Sequence, residues 1–563
     1  MKVFQPKIFD TLKNYNKTRF TNDVMAGVIV GIVAIPLAIA FGIASGVGPT
    51  EGLVTAIIAG FTVSLLGGSK VQISGPTGAY IVIIYGIIQQ FGIGGLIIAT
   101  IMAGIMLILM GVFRLGNVIK FVPYPVIVGF TAGIAITLFS TQINDLFGLE
   151  IKNAPANLVD KWIIYFKNFS ATNFPAFGIG VLSILIIIFT PKISKKIPGS
   201  LIAIIFITLL VWILNRFAGI TSIQTIGDLY QLPTGIPAPK LPDLQLDNGK
   251  TIFDLITQLF PAAFTIAMLG AIESLLSAMV ADGVIGDRHN SNTELIAQGT
   301  ANIITPLFGG IPATGAIART MTNINNGGRS PVAGIIHAIT LLLVLLFLGK
   351  LVGYIPMACL AGVLIMVAYN MSGWRAVISL SKTLKADFAV MLTTLALTVI
   401  FDLTVAIEVG LLMAVVLFLK RTSEVTSVKI LSREIDPQAE TDFSLNEEKL
   451  IIPDGIEVYE IDGPYFFGIA NKFDEIMNEV RKSPKIRIIR MRKVPFIDST
   501  GLHNLETLCR ASQRQGITVI LSGVTPQVRQ TLMKANFEQI IPEENICPHI
   551  NSALEKAERE LQG

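Results

Sequence analysis

The chain has 563 residues, of which 52% are hydrophobic and only 15% are charged, and its mean hydropathy is +0.66. Because soluble domains average about 25% charged residues, this composition excludes an ordinary soluble protein and indicates a polytopic membrane protein. The net charge of +4 is uninformative, and the three widely separated cysteines argue against a disulfide framework or a cysteine metal site.

Residues 1–22 are basic and precede a long apolar stretch, residues 24–46. This stretch is too long for the hydrophobic region of a signal peptide and lacks a clear cleavage site. We interpret it as the first transmembrane segment and residues 1–22 as a cytoplasmic N-terminus.

Hydropathy predicts about fourteen apolar segments within residues 23–421, the predicted transport domain. They span 24–46, 51–67, 75–90, 93–113, 123–147, 173–191, 199–218, 254–281, 294–308, 314–325, 330–349, 352–370, 386–402 and 404–420. The loops after segments 4, 6 and 12 are basic, and the long loop after segment 7 is acidic. The positive-inside rule therefore places both ends of the domain in the cytoplasm.

A similar motif occurs once in each half of this region. Residues 65–79 are LLGGSKVQISGPTGA and residues 307–316 are LFGGIPATGA. An apolar chain that repeats itself and interrupts both copies with Gly and Pro is typical of transporters built from two inverted halves. In such folds, paired broken helices mark the binding site.

The motifs predict where two broken helices begin. Segment 3 is expected to begin near residues 74–77, with Pro76 in its first turn, and segment 10 near residues 312–315. In an inverted arrangement, the two N-termini face each other near the bilayer midplane, and their N–H groups suit an anion. Arg319 follows about one turn later, and a charge inside a membrane is usually functional. The alternative is that Arg319 snorkels or pairs with a structural carboxylate.

Glu273 is the second charge predicted to lie deep in the membrane, with Ser277 one turn further along the same face of segment 8. A carboxylate in this position either binds a proton or needs a cation beside it. Glu273 could carry a proton, bind Na⁺ together with Ser277, or pair with Arg319. The residues alone leave ion coupling and structural pairing open.

The composition becomes polar after residue 421, which predicts a linker at 422–450 and a small α/β domain at 451–557. The predicted strands are 456–461, 486–491 and 517–522, and the predicted helices are 471–482, 500–514 and 525–536. The turn Asp498-Ser499-Thr500-Gly501 precedes one of these helices, and its simplest interpretation is an N-cap.

The ordered set of these sequences resembles the SulP, or solute carrier family 26, anion transporters over nearly the whole chain. The matching stretches are PLAIAFGIASG at 36–46, SGPTGA at 74–79, GAIESLLSA at 270–278, GGIPATGAIARTMTNINNGGRS at 309–330, and IDST at 497–500 in a region similar to a STAS domain.

The resemblance implies an α-helical membrane protein of seven-plus-seven inverted repeats, with a core (segments 1–4 and 8–11), a gate (segments 5–7 and 12–14) and an elevator-type transport mechanism. It also implies a homodimer and a STAS domain in the cytoplasm. The turn at 498–501 resembles the phosphorylated turn of anti-sigma-factor antagonists, in which the residue corresponding to Ser499 is phosphorylated. The implied anion-site residues are Phe41, Gly75, Pro76, Thr77, Gly78, Thr314, Gly315, Ala318 and Arg319. Two positions depart from the family pattern, since many animal members have serine at 318 and a polar residue often stands at Leu37.

Family members also suggest the coupling ion. Na⁺-dependent bicarbonate members have Asp and Thr where this chain has Glu273 and Ser277, whereas proton-coupled bacterial members have Glu. We therefore expect H⁺ symport of sulfate, bicarbonate or a dicarboxylate across a bacterial inner membrane. Na⁺-dependent bicarbonate transport, an uncoupled exchanger or channel, a nucleobase–proton symporter and a membrane-anchored signalling protein are the alternatives. No enzymatic activity, cofactor, resident metal or nucleic-acid partner is expected.

Overall fold

The structure is a computed structural model. It describes residues 4–13, 15–117, 122–151, 155, 157–193, 198–219, 222–230, 238–239, 252–401, 403–425, 427–431, 434–435, 450–466 and 484–562. Contacts divide the chain into two compact units, residues 1–414 and 415–563. The acidic loop after predicted segment 7 lies largely outside the described residues, as does the predicted helix at 471–482.

The described part of the first unit contains helices and two short strands, β1 (Ser74–Gly75) and β2 (Thr314–Gly315). Its helices are α1 Lys7–Leu12, α2 Lys17–Ala44, α3 Pro49–Leu66, α4 Ile81–Val112, α5 Tyr124–Phe147, α6 Leu158–Lys167, α7 Phe174–Ile193, α8 Gly199–Ala218, α9 Ile226–Leu229, α10 Ile252–Ile285, α11 Ser291–Leu307, α12 Ile317–Asn325, α13 Pro331–Val352, α14 Met357–Met371, α15 Trp374–Ser381, α16 Lys385–Ile400 and α17 Leu403–Val425, the last of which extends into the second unit.

Each predicted apolar segment corresponds to a helix, although segments 3 and 4 are joined in α4. Gly92 has a φ of 65° inside α4 and marks a kink there. Nine helical spans among the described residues are long and apolar enough to cross a membrane. The predicted segments 9, 10 and 13 correspond to α11, α12 and α16, which have only 17, 9 and 16 residues. A span of about 20 residues is needed to cross a bilayer unaided, so these three helices are short for that role.

The membrane helices pack in two groups. In the first, α4 packs against α10 and α11, α13 packs against α2 and α3, and α10 packs against α12. In the second, α5 packs against α14 and α16, and α7 packs against α8 and α14. These groups match the core and the gate that the family resemblance implies.

Glycine permits a close helix crossing between α4 and α11 in the first group. A Cβ on Gly104 of α4 would lie 2.7 Å from the carbonyl oxygen of Gly299 in α11. A Cβ on Gly299 would in turn lie 2.5 Å from the carbonyl oxygen of Gly104. The two backbones therefore touch, as is common where small residues meet in membrane proteins.

The second unit contains a five-stranded sheet in the order β3-β6-β7-β8-β9. Strand β3 pairs antiparallel with β6, and the other neighbours are parallel. The strands are β3 Ser427–Leu431, β6 Ile456–Asp462, β7 Ile486–Lys493, β8 Thr518–Ser522 and β9 Ile546–Cys547, with β4 Glu434–Ile435 and β5 Leu450–Ile451 forming a separate pair. The described helices are α18 Ser499–Arg514, α19 Pro526–Lys534 and α20 Ile550–Gln562.

Strand β3 lies in the stretch that the sequence predicts as a linker, so that interpretation is wrong for residues 427–431. Five residues of mixed polarity are too short to stand out from their charged surroundings, and β3 is specified by its partner β6. The three predicted strands correspond to β6, β7 and β8, and the predicted helices at 500–514 and 525–536 correspond to α18 and α19.

Candidate functional site

The two repeated motifs lie side by side as an antiparallel pair of strands. Ser74 is opposite Gly315, and Gly75 is opposite Thr314. The amide of Ala316 extends the pairing by donating to the carbonyl of Ile73 at 2.9 Å. We call residues 67–77 the first motif loop and residues 309–316 the second motif loop.

The motif residues precede their helices, which corrects the prediction that they form the first helical turns. A 3₁₀ turn at Gly78–Tyr80 leads into α4, which begins at Ile81. In the second half, α12 begins at Ile317. Strand pairing engages backbone groups of the motif residues, so the helices begin only after the strands end.

The strand register also changes how the two motifs correspond. A local two-fold axis that exchanges the paired strands relates Ser74 to Thr314 and Gly75 to Gly315. When the same offset is continued along the sequence of each half, the counterpart of Arg319 is Ala79. A sequence alignment of the Thr-Gly-Ala residues of the two motifs would instead differ from this structural correspondence by three residues. The guanidinium therefore occurs in only one of the two halves.

Arg319 is the most informative side chain of the site because it is almost fully buried yet incompletely hydrogen-bonded. Only 2% of the residue is exposed. Its Nη2 donates to the carbonyl of Pro76, whereas Nη1 has no partner among the described residues. A Cβ on Gly75 would collide with Nη1, so a side chain at this position would displace the guanidinium. Buried donors are nearly always paired, and a free buried guanidinium N–H indicates a missing acceptor.

Glu273 of α10 contacts the same loop. Its Oε2 accepts a hydrogen bond from Oγ1 of Thr77 at 3.1 Å. Pro76 and Thr77 are consecutive, so one short stretch contacts both charged side chains. Glu273 and Arg319 are both described, and they form no ion pair within 4.0 Å. Each of the two side chains makes its hydrogen bond with the first motif loop.

Ser277 is held separately from Glu273. Its Oγ donates to Oγ1 of Thr320 in α12 at 3.2 Å, and the residue is 1% exposed. Within the described residues, no group of three or more His, Cys, Asp or Glu side chains is arranged to hold a metal ion.

Ser274, which the sequence analysis did not single out, connects α10 to the second motif loop. Its Oγ lies 2.7 Å from Oγ1 of Thr314 and accepts from the amide of Gly315 at 3.0 Å. Thr314 also lies within hydrogen-bonding distance of the carbonyl of Gly270, at 3.1 Å. Thr314 and Gly315 are therefore tied to α10 through backbone and hydroxyl groups.

The remaining predicted anion-site residues differ in solvent exposure. Phe41 of α2 is 5% exposed and packs in a large apolar cluster. Ala318 is exposed. A Cβ on Gly78 would lie 2.9 Å from Sδ of Met371 and 3.5 Å from Cδ2 of Leu138, so α5 and α14 contact the chain just ahead of α4. The first group of helices thus meets the second beside the motif loops.

Glu294 of α11 was missed by the sequence analysis, although it organises the first motif loop. Its carboxylate is fully buried and accepts four hydrogen bonds. The donors are the amide of Gly68 at 2.8 Å, the amide of Ser69 at 3.1 Å, and the side-chain amides of Gln72 and Gln298, each at 3.0 Å. A detectable signal was present, because Glu294, Gln298 and Asn302 recur every four residues and so share one face of α11.

The STAS-like turn has the geometry of a helix cap. Oδ1 of Asp498 accepts from the amide of Gly501 at 2.7 Å, and α18 begins at Ser499. This agrees with the N-cap interpretation. Ser499 itself is exposed at the first position of the helix, and its phosphorylation stays a prediction.

Comparisons with known proteins agree with this architecture. Residues 20–394 match the model of the sulfate permease family, and residues 449–553 match the STAS domain. The chain is 40% identical to the putative sulfate transporter YvdB of Bacillus subtilis (strain 168), over 95% of this chain and 98% of the relative. It is 31% identical to the bicarbonate transporter BicA of Synechocystis sp., over 96% of this chain and 95% of that protein.

Solved structures share the fold. The murine Slc26a9 anion transporter in its inward-facing state superposes with a TM-score of 0.85 at 18% identity, covering 98% of this chain and 94% of that chain. The transmembrane domain of a cyanobacterial BicA gives a TM-score of 0.61 at 31% identity, covering 71% of this chain and 98% of that chain. With the family model matching residues 20–394 and a relative 40% identical over 95% of the chain, this multi-pass membrane protein belongs to the sulfate permease (SulP/SLC26) family of transporters and carries a C-terminal STAS domain.

Proposed function

We propose that the protein is a secondary active transporter that carries a small anion together with H⁺. The observation that supports it most directly is Arg319, a buried guanidinium beside the paired motif loops whose Nη1 lacks a hydrogen-bond acceptor. An anion between the loops would supply that acceptor. Relatives named as sulfate and bicarbonate transporters favour these two substrates, with a dicarboxylate as a further candidate.

Two kinds of donor would bind the anion. The first N–H groups of α12 have no partner inside the helix and carry partial positive charge. Nη1 of Arg319 adds a full charge at the same place. In this proposal the pocket is formed by Phe41, Gly75, Pro76, Thr77, Gly78, Thr314, Gly315, Ala318 and Arg319. Ala318 supplies no hydroxyl, so backbone groups and Arg319 would make the polar contacts.

Glu273 is the proposed proton carrier. Its carboxylate lies next to Thr77, and Thr77 follows the residue whose carbonyl binds Arg319. A negative Glu273 repels an anion bound between the loops, and a proton on Glu273 removes that repulsion. The proton and the anion would therefore favour each other's binding, which is the coupling that symport requires.

The two groups of helices suit an elevator-type movement. The motif loops, Arg319 and Glu273 all belong to the first group, and the contact of Gly78 with Leu138 and Met371 is made with the second. Movement of the first group past the second would carry the site across the membrane. We assign residues 23–421 to transport, and residues 451–557 together with strand β3 (Ser427–Leu431) to the STAS domain. The protein is proposed to be a homodimer in the inner membrane. By the positive-inside rule, residues 1–22 and the STAS domain lie in the cytoplasm.

The test is uptake of labelled sulfate, bicarbonate and fumarate into proteoliposomes under an imposed H⁺ or Na⁺ gradient. We expect accumulation driven by the H⁺ gradient alone. Glu273→Gln is expected to abolish the response to the H⁺ gradient while anion binding persists, and Arg319→Ala is expected to weaken apparent anion affinity at least tenfold. Uptake by Glu273→Gln that still follows the H⁺ gradient would overturn the proton-carrier role.

Na⁺-dependent bicarbonate transport is the second candidate, because the chain is similar to BicA over most of its length. It requires a cation site at Glu273 and Ser277. In the structure these side chains have different partners, Thr77 and Thr320. Accumulation only under a Na⁺ gradient would favour this candidate, and we then expect Ser277→Ala to raise the Na⁺ concentration needed for half-maximal uptake.

A further inference from the structure

A large polar cavity lies apart from the motif loops, at the far end of α2. It has a volume of about 470 Å³ and is lined by residues of α2, α4, α5, α6, α7 and α14 together with connecting loops. A water molecule occupies about 30 Å³ of liquid volume, so the cavity is large enough for an anion with part of its hydration shell.

Lys161 of α6 is a buried charged residue that lines this cavity. The residue is only 3% exposed. Its Nζ lies 5.5 Å from the centre of the Tyr85 ring, and no described acidic side chain comes within 4.0 Å of it. Burial lowers the pKa of Lys161, because little around the ammonium group replaces the water that it has lost. A cation–π contact compensates only part of that cost.

The two carboxylates of the cavity already have other partners. Oδ1 of Asp145 accepts from the side-chain amide of Asn144 at 3.2 Å. Oε1 of Glu150 accepts from the side-chain amide of Gln224 at 3.0 Å. Neither carboxylate lies within 4.0 Å of Nζ of Lys161, so the ammonium group has no direct counter-ion among the described residues, and a mobile anion can supply one.

The cavity and the candidate anion site lie at different positions along the same two helices, α2 and α4. Tyr85 follows Thr77 by eight residues, so a helical rise of 1.5 Å per residue separates them by about 12 Å. Ile43 and Ala44 of α2 line the cavity, and they follow Phe41 by two and three residues. An anion at Lys161, beside Tyr85, would lie about two helical turns beyond the first motif loop.

We propose that Lys161 forms a second anion-binding site, which loads small inorganic anions such as sulfate or bicarbonate into the transport path. The compact ammonium group acts as a point charge that attracts an anion without selecting its shape. The loading role rests on the proposed transport function, whereas the binding of an anion at Lys161 does not. The positive-inside rule places this end of α2 outside the cell, where an imported anion would enter.

Binding is tested on the purified full-length protein by reductive methylation with formaldehyde, a reagent small enough to enter the cavity, followed by peptide mass spectrometry. We expect sulfate or bicarbonate to slow methylation of Lys161 at least fivefold relative to gluconate at equal ionic strength. Lys167 on the same helix is exposed and serves as the internal control, and its rate should not change. Equal rates at Lys161 in all salts would overturn the proposal.

Loading is tested by the initial rate of uptake. Lys161→Gln is expected to raise KM about tenfold with kcat nearly unchanged, Lys161→Arg to restore most of the affinity, and Lys167→Gln to behave as the parent protein. An unchanged KM in Lys161→Gln would overturn the loading role. If that variant does not fold, protection of Lys161 in the parent protein decides the question. If anions still protect Lys161 from methylation in the Glu273→Gln variant, anion binding at Lys161 does not depend on the proposed proton coupling.

Discussion

The two motif loops have paired backbones but different supporting chemistry. The first loop is held mainly by side chains from the second half of the chain. Amides, a carbonyl and a hydroxyl of the loop form hydrogen bonds with Glu294, Gln298, Thr320 and Asn323. The second loop is held mainly by neutral groups. The amide of Ala313 donates to Oδ1 of Asn302 at 2.9 Å, and the amide of Ile311 donates to Oγ1 of Thr55 at 2.7 Å.

The two loops therefore have similar backbone pairing but charged side chains of opposite sign beside them. The first loop has a structural anion, Glu294, bound to its amides behind the strand pair. The second loop leads to a cation, Arg319, which reaches across to the first loop and retains a free donor. A repeat with two-fold symmetric charges could not place a single positive group beside a single proton carrier.

The largest effect is expected from Glu294→Ala. The substitution leaves four buried donors without an acceptor, and each unsatisfied group costs about 1–3 kcal/mol, so the loss of stability should exceed about 4 kcal/mol. Thermal unfolding of the detergent-solubilised protein measures it. Glu408→Ala, at an exposed position of α17, is the control and should change little. An unchanged unfolding temperature in Glu294→Ala would show that the first loop does not depend on the carboxylate.

Gly75→Ala tests the contact between the loops. The added methyl group would collide with Nη1 of Arg319 and displace the guanidinium, so we expect at least a tenfold loss of anion affinity with the fold retained. Gly86→Ala in α4 has no neighbouring atom within 4 Å of the new Cβ and should be neutral.

The measurement for this pair of variants is anion-dependent thermal stabilisation. Equal stabilisation of Gly75→Ala and Gly86→Ala would mean that the position of Arg319 does not set the affinity.

Thr77→Val tests the link between the first loop and the proton carrier. The variant removes the hydroxyl that donates to Glu273 and keeps its shape. A hydrogen bond to a charged group contributes about 1.5–3 kcal/mol, so the uptake rate should change about tenfold and its pH profile should shift. Because the hydroxyl favours the charged carboxylate, its loss should move the profile to higher pH.

Thr131→Val is the matched control, since its hydroxyl bonds only to carbonyls of its own helix. The role assigned to Thr77 fails if the two valine variants have the same pH profile for uptake.

A smaller effect is expected in the STAS domain from Asp498→Ala. Loss of an N-cap costs about 1 kcal/mol, so the first turn of α18 should open about five times more often. Hydrogen exchange of peptides covering Ser499–Arg514 in the full-length protein measures this, with Asp498→Asn as the capping-competent control. Equal exchange in the two variants would place the stabilisation elsewhere.

The smallest effect concerns Cys509, a thiol in the core of the STAS domain. Burial raises its pKa to about 12. Only the thiolate is nucleophilic, and its fraction at pH 8 is then about 10⁻⁴. Iodoacetamide should therefore leave Cys509 of the native protein unmodified and label it fully after denaturation. Rapid labelling of the native protein would contradict this burial.

Much of the membrane fold could be predicted from the sequence because hydrophobic length and charge act locally. Apolar runs such as residues 174–193 reveal a membrane helix without knowledge of their neighbours. Gly and Pro in the repeated motifs marked the broken helices, and Glu273 and Arg319 stood out as charges in apolar surroundings. Each of these signals is contained within about twenty residues.

Other features depend on partners that are distant in sequence. Glu294 reaches Gly68 across 226 positions, and Arg319 reaches Pro76 across 243. Strand β3 exists because β6 pairs with it, and the charge on Lys161 is notable only because α6 buries it within a cavity. Sequence alone therefore determined the class, the membrane helices and the charged candidates. The strand register, the unequal support of the two loops and the second candidate anion site were decided by tertiary packing, since hydrogen bonds and burial are properties of pairs that the chain brings together only on folding.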